Sequence, residues 1–253
     1  MIKRFGISVP TLIIILAFGL VKQGNEPLNI KDFRLDFNIE NFYAPSLEKA
    51  KLYKEQRDAI LNGKGEKEFG DKLIDPWSFE TISIEAVFVD DNYESSNQLV
   101  GTQYNMKSWT EGSEIAHYGD MYFDALHMMR SKEGDFMALV ATNQNESEAS
   151  FKKLLSEIKT KYGKPKVSAE DFFGGYYLYS WQLRDRLLAI CSKYNNKANE
   201  LKIAVDLDQQ EIDSSNKPAF DSKLFIVNNK YKDALSGHLK SGAWLYFNDL
   251  LKK

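Results

Sequence analysis

The sequence is poor in cysteine. Cys191 is the single cysteine among 253 residues, so the chain cannot form an intramolecular disulfide. Cys191 ends the apolar run Leu187–Cys191, whereas a reactive thiolate needs an electropositive, partly exposed setting. We therefore predict a small buried apolar side chain at this position and a fold stabilised by packing.

Histidine is also scarce, and the sequence contains neither His-Glu-x-x-His nor a paired Cys-x-x-Cys. The three histidines are His117, His127 and His238. One group with metal-ligand chemistry is close in sequence and consists of His117, Asp120, Asp124 and His127. If Gly119-Asp120 is a two-residue turn, His117 pairs with Tyr122, and Asp124 and His127 lie too far along the strands to share one ion. We therefore predict no metal and no cofactor.

An excess of positive charge is absent. The chain has 33 lysines and arginines against 36 acidic residues, a net charge of −3, and the two signs are interspersed. Nucleic acids are bound by concentrated basic faces, so we predict no nucleic acid partner. Glycine-rich phosphate loops are absent too, because Gly174-Gly175 alone does not form one.

One long uncharged run is present, and it lies at the amino terminus. Lys3 and Arg4 precede a segment without charge from Phe5 to Val21, the pattern of a secretory signal. We predict that residues 1–22 are a signal peptide, cleaved after Gly19, or an uncleaved membrane anchor. The protein is then periplasmic or extracellular, or membrane-anchored if the segment is retained.

The remaining residues, 23–253, have the composition of a folded region. The whole chain is 43% hydrophobic and 13% aromatic, which is enough apolar surface for a core. Strand patterns dominate on both sides of one clear helix, an order typical of the α+β class with antiparallel sheet. This region is one domain, or two small ones with a boundary near residues 63–78.

Alternating and apolar runs between turn residues predict the strands. They are Phe79–Val89, Gln98–Met106, Ser113–Tyr118, Met121–Arg130, Phe136–Ala141, Gly175–Leu183, Arg186–Tyr194, Glu200–Leu207 and Leu224–Val227. Phe136–Ala141 is apolar on both faces, so we place it at the centre of a sheet. Asn29–Phe42 alternates loosely and is interpreted as a strand or extended arm.

Three segments have helical patterns. The first begins after Pro45 with Ser46 as N-cap and ends at Asn62. The second is capped by Asn145 and ends at Gly163, and the third runs from Lys230 to the end with breaks at its glycines. The apolar stripe of the second helix, which must lie on a sheet, is Phe151, Leu154, Leu155, Ile158 and Tyr162.

Three short motifs occur in an order that is known from one enzyme family. They are Ser46-Leu-Glu-Lys49, Ser95-Ser-Asn97 and Lys240-Ser-Gly242. This set resembles the elements of penicillin-binding proteins and serine β-lactamases, and the resemblance implies a nucleophilic Ser46. It covers ten residues, and the first pattern recurs at Ser150–Lys153 and Ser156–Lys159. We therefore interpret Ser46 as a helix cap.

The most unusual segment after the leader is the aromatic run from Phe172 to Trp181. In a strand, Tyr177, Tyr179 and Trp181 share one face. Such a face can stack against sugars or anchor a protein partner, so these three residues are the candidate binding surface. The alternative is that they pack in the core beneath the helix over residues 145–162.

These features favour an exported, non-enzymatic binding or interaction module at the bacterial cell envelope, with a protein or glycan partner. Contact with the membrane is expected through the N-terminal segment alone. The alternative is a secreted or periplasmic hydrolase with unassigned catalytic residues, since paired carboxylates cannot be chosen from sequence. A third hypothesis is a structural or inhibitory module.

Overall fold

The computed structural model describes residues 27–74, 81–91, 94–108, 114–170, 176–195, 219–239 and 242–251. The predicted signal segment, residues 1–22, lies outside these ranges, and so does the predicted strand Glu200–Leu207.

The described residues form antiparallel sheets packed by helices, as the predicted α+β class requires. The strands are β1 (Leu28–Asn29), β2 (Thr81–Asp91), β3 (Glu94–Lys107), β4 (Ala116–Tyr118), β5 (Met121–Phe123), β6 (Ala125–Arg130), β7 (Phe136–Glu146), β8 (Lys166–Glu170), β9 (Tyr176–Gln182), β10 (Arg186–Asn195) and β11 (Ala219–Asn228). The α-helices are α1 (Ile39–Leu61), α2 (Glu148–Tyr162), α3 (Lys232–Leu235) and α4 (Phe247–Leu251).

The main sheet has eight strands in the order β2-β3-β6-β7-β11-β10-β9-β8, and all neighbours are antiparallel. A smaller sheet has the order β1-β4-β5, with β1 parallel to β4. Strand β7 is central, as predicted, and its residues from Phe136 to Ala141 are at most 1% exposed. A strand buried on both faces needs such an uninterrupted apolar sequence.

Each face of the main sheet supports its own core. Successive side chains of a strand point to opposite faces, so β7 places Leu139 in one core and Val140 in the other. The first core packs under α1 and α2, and we call this side the helix face. The second packs under residues 231–239 and 242–251, which include α3 and α4, and we call it the C-terminal face.

The start of α1 differs from the prediction. The helix begins at Ile39, within the segment interpreted as extended, and Asn38 is its N-cap, with Oδ1 accepting from the Asn41 N–H at 2.9 Å. Pro45 therefore lies inside the helix, although proline is typical of a first turn. Ile39 and Tyr43 are buried in the core, and this packing outweighs the local signal. The predicted end at Asn62 is confirmed.

Helix α2 agrees with its predicted apolar stripe, because Phe151, Leu154 and Ile158 are buried. Its N-cap is Ser147 instead of Asn145, and the Ser147 hydroxyl accepts from the Ser150 N–H at 3.1 Å. The predicted cap was wrong because β7 continues to Glu146 and keeps that segment extended.

Three strand predictions need correction. The predicted strand Met121–Arg130 is interrupted at Asp124, so that β5 belongs to the small sheet and β6 to the main one. Strand β8 was not predicted, and β11 begins at Ala219, five residues before the predicted start at Leu224. Strand β11 then pairs along the whole of β10.

The C-terminal segment is a broken helix, as predicted. A 3₁₀ turn over Asn229–Tyr231 leads into α3, and another over Gly242–Trp244 precedes α4. Short helices of this kind depend on tertiary packing for stability. Here Phe247, Leu250 and Leu251 are buried, as the predicted apolar face requires, while Ala243 is half-buried.

Candidate functional site

The structure separates the three aromatic side chains predicted as a binding surface. Trp181 is 4% exposed, and its indole N–H donates to the Gly163 carbonyl at 2.8 Å, at the end of α2. Tyr179 is half-buried, with its ring centroid 6.2 Å from that of Phe151. Tyr177 is 56% exposed. Trp181 is thus a core residue, as the alternative interpretation required, and Tyr177 is the accessible part of this face.

The predicted register around the histidine-containing group is confirmed. Tyr118 pairs with Met121 and His117 with Tyr122 in the small sheet, whereas His127 lies on β6 in the main sheet. Asp120 forms an ion pair with Lys153 on α2. Within the part of the chain that the structure describes, no group of three or more His, Cys, Asp or Glu side chains could hold a metal ion.

Ser46 and Gly242, which belong to the first and third motifs that resemble those of penicillin-binding proteins, lie on different faces of the main sheet. Ser46 lies inside α1 and is not its cap, and the adjacent Leu47 packs against the core on the helix face. Gly242, at the end of the third motif, precedes Trp244, which is buried in the core on the C-terminal face. The main sheet therefore lies between Ser46 and Gly242, while Lys240 and Ser241 are outside the described residues.

A cavity of about 320 Å³ lies on the C-terminal face of the main sheet. Its floor contains one row of cross-strand partners, so residues from five strands are brought side by side. The row runs through Lys107 (β3), Ala125 (β6), Thr142 (β7), Lys223 (β11) and Cys191 (β10). The segment that enters α4 supplies the opposite wall with Ala243, Leu245 and Tyr246.

The cavity forms where the side chains of this face change from apolar to polar. Residues two positions apart on a strand point to the same face, and on four strands one member of such a pair is apolar and the other polar. The pairs are Met129 and His127 on β6, Val140 and Thr142 on β7, Phe225 and Lys223 on β11, and Cys191 and Lys193 on β10. The apolar members belong to the core under α3 and α4, and the polar members line the cavity. Alternation within each strand thus builds a polar pocket at the edge of an apolar core.

Lys223 is the central cation of this cavity. Its ammonium donates to the carbonyl oxygens of Gly242 at 3.1 Å and Ala243 at 2.8 Å, which joins β11 to the opposite wall. Burial lowers the pKa of Lys223 to about 8, although Cys191 and Asp221 act in the opposite direction. A charged amine is therefore held in a poorly solvated place at neutral pH.

His127 is held as a neutral ring. Burial, followed by the charges of Lys223 and Lys107, lowers its pKa to about 4. Its Nδ1 lies 2.8 Å from Asn105 Oδ1, while Asn105 Nδ2 donates to the Glu85 carboxylate at 3.2 Å. Since a carboxylate only accepts, the amide oxygen must face the histidine, and Nδ1 must carry the proton. Nε2 is left as an acceptor.

Cys191 is 2% exposed, which confirms the predicted buried apolar position. Burial raises the pKa of its thiol to about 12, and the nearby Lys223 only partly opposes this. The thiol is therefore protonated at neutral pH, and it contributes a small apolar surface to the cavity.

We expect the free energy of unfolding to rise with pH between about 8 and 10.5 because of Lys223. The folded-state pKa lies below the ordinary value, so the unfolded chain binds more protons in this window. The destabilisation caused by burying the charge is complete below the window and is relieved as the amine loses its proton.

Urea denaturation of the wild type and of Lys223→Gln across this range measures the effect. Subtracting the two free energies of unfolding at each pH removes the contributions of groups that titrate in both proteins, including the tyrosines. We expect the difference in the free energy of unfolding to change with pH in this range. Parallel curves of the free energy of unfolding against pH for the two proteins would contradict the prediction.

Comparison with known proteins finds no matching family model, no matching curated protein and no matching solved structure. A search of the described residues for a helix with the length and hydropathy of a membrane span finds none.

Sequence reasoning missed the cavity, although a local signal exists. In β11, Asp221 and Lys223 precede Phe225 and Val227 in strict alternation, so a polar pair continues an apolar face. This pattern shows that one face of the strand changes from polar to apolar side chains. It does not show that β6, β7 and β10 change in the same part of the sheet, because that depends on the register of each pairing.

Proposed function

We propose that the protein is an exported, non-enzymatic binding module of the cell envelope, and that the cavity around Lys223 is its ligand site. The observation that supports this proposal is the cavity itself, which is about 320 Å³ in volume and joins charged floor residues to an apolar wall. Small-molecule sites combine a mostly apolar lining with a few placed polar groups, and their volumes begin at about 300 Å³.

The protonation states of the lining residues support binding rather than covalent chemistry. The Cys191 thiol has a raised pKa, which disfavours the thiolate that a nucleophile requires. The His127 ring has a lowered pKa and is oriented through Asn105, which suits a fixed hydrogen-bond acceptor. A site with such groups holds a ligand in one orientation.

Native mass spectrometry of the protein purified from its own cells tests the ligand site. We expect a bound small molecule that is released on denaturation. Ala243→Trp fills the cavity wall and should abolish the adduct, whereas Ala149→Trp, at an exposed position on α2, should retain it. A wild-type spectrum without adduct, or equal adducts in both variants, would contradict the proposal.

Export is proposed from the leading segment, in which Lys3 and Arg4 precede the uncharged run to Val21. Fractionation of native cells, followed by sequencing of the mature amino terminus, tests it. The expected product is periplasmic or extracellular and begins after Gly19, or is membrane-associated and intact. A full-length product in the cytosol would contradict export.

A protein or glycan partner at Tyr177 is a second proposal. Tyr177 lies on β9 beside the edge strand β8, where Val167 is 52% exposed and pairs with Tyr179. The exposed side chains of Tyr177 and Val167 form an apolar strip at one edge of the helix face. Exposed aromatic side chains on a rigid strand suit stacking against sugars or anchoring a partner.

A further inference from the structure

The charges that line the cavity favour an anion over a cation. The acidic and basic residues of the lining are Lys107, Lys193, Lys223, Asp124 and Asp221, and the neutral His127 adds no charge at pH 7. Lysines thus outnumber aspartates by three to two. A ligand with a single negative charge would balance the charges of this lining. A dianion is disfavoured because of repulsion by the two aspartates.

Lys223 is placed to recognise that charge. An ammonium group has three N–H donors, and two of them are directed to the carbonyl oxygens of Gly242 and Ala243. Among the residues that the structure describes, these carbonyls are the hydrogen-bond partners of Nζ. One donor is left for an acceptor in the cavity. An anionic acceptor would form a charge-assisted hydrogen bond and would compensate the burial of the ammonium.

The opposite wall is apolar and firmly held. Tyr246 has a φ of 74°, which is unusual for a residue with a side chain. Its ring stacks on Tyr176 with centroids 3.8 Å apart, and the Tyr176 hydroxyl donates to Asp249 at 2.8 Å. Together with Cys191 and Ala243, Tyr246 gives the cavity an apolar surface. Cys191 is the cross-strand partner of Lys223, and the Ala243 carbonyl accepts from the Lys223 ammonium.

We propose that the cavity binds a small organic monocarboxylate, with the carboxylate on the Lys223 ammonium and the apolar body against Cys191, Ala243 and Tyr246. This inference rests on the proposed function and adds the chemical class of the ligand. A carboxylate offers one negative charge and acceptor oxygens, and the apolar body matches the wall that a bare inorganic anion would leave unfilled. Binding should also weaken at high pH, as the Lys223 amine loses its proton.

The test compares benzoate with benzamide, which has nearly the same shape and no charge, and with inorganic phosphate. Chemical-shift titrations of the full mature chain report the site and the affinity together. We expect benzoate to shift resonances of the cavity lining and to bind at least about tenfold more tightly than benzamide or phosphate, as a lost charge-assisted hydrogen bond predicts.

Variants at Lys223 identify the group responsible. Lys223→Gln keeps N–H donors for the two carbonyls without the charge, and should weaken benzoate binding at least about tenfold. Lys223→Arg keeps the charge and should restore part of the affinity. Lys64→Gln, at an exposed position that is not part of the cavity lining, is the control and should bind benzoate as the wild type does.

Three results would overturn the inference. Equal affinities for benzoate and benzamide that Lys223→Gln does not change would leave a binding cavity without carboxylate recognition. Absence of benzoate shifts at millimolar concentration would exclude the monocarboxylate class, and tighter binding of phosphate would replace it with an inorganic anion. The native mass spectrum decides separately whether the cavity holds any ligand, so the two failures are distinguishable.

Discussion

Phe247→Ala should lower the free energy of unfolding by about 3–5 kcal/mol, the usual cost of deleting a buried phenylalanine side chain. Phe247 is fully buried at the start of α4, with its ring centroid 5.3 Å from that of Trp244 and 6.2 Å from that of Phe225. A helix of five residues has little stability of its own, so this contact holds α4 on the sheet.

The same substitution should weaken ligand binding, because Ala243, Leu245 and Tyr246, just before Phe247, form the wall of the cavity. Urea denaturation measures the first effect and a benzoate titration the second. Phe88→Ala is the matched control, since the same atoms are removed from a side chain that is 48% exposed on β2. Its expected cost is below about 1 kcal/mol. Equal stabilities of Phe247→Ala and the wild type would contradict this packing.

Trp181→Ala should cost much more stability than Tyr177→Ala, although both residues point to the same face of β9. Trp181 is buried and hydrogen-bonded to the end of α2, so its removal should cost about 3–5 kcal/mol. Tyr177 is 56% exposed, so its removal should cost less than about 1 kcal/mol.

Recognition of a partner should depend on Tyr177. Urea denaturation separates the two variants, and capture from envelope extracts on immobilised wild type and Tyr177→Ala tests the proposed surface. We expect a partner that the wild type retains and the variant loses. Identical capture by both proteins would remove Tyr177 from the proposed surface, and a large loss of stability in Tyr177→Ala would contradict its exposed position.

Local sequence patterns were enough to predict the elements whose buried residues follow one simple spacing along the chain. The stripe of α2 and the uninterrupted apolar sequence of β7 each correspond to one packing environment, so sequence spacing identified both. Pro45 misled the prediction of α1, because a proline near a helix start is a strong local signal. The burial of Ile39 and Tyr43 is a tertiary effect that this signal does not contain.

The cavity could not be predicted for a different physical reason. Lys107, Thr142, Cys191 and Lys223 meet because the registers of β3, β6, β7, β11 and β10 align them in one row. A shift of one residue in any pairing would send that strand's side chain to the helix face. The altered proton affinities of Lys223 and Cys191 arise from burial, which sequence spacing does not report.

The central claim is that Lys223 is a half-buried cation available to an anionic ligand, and the titration of its own amine tests this most directly. The ¹⁵N shift of Lys223 Nζ, followed against pH in selectively labelled protein, should give a midpoint of about 8 without ligand. Saturating benzoate should move that midpoint upward, because a bound carboxylate favours the charged amine. A midpoint near the ordinary lysine value of 10.5 that benzoate does not change would contradict the account.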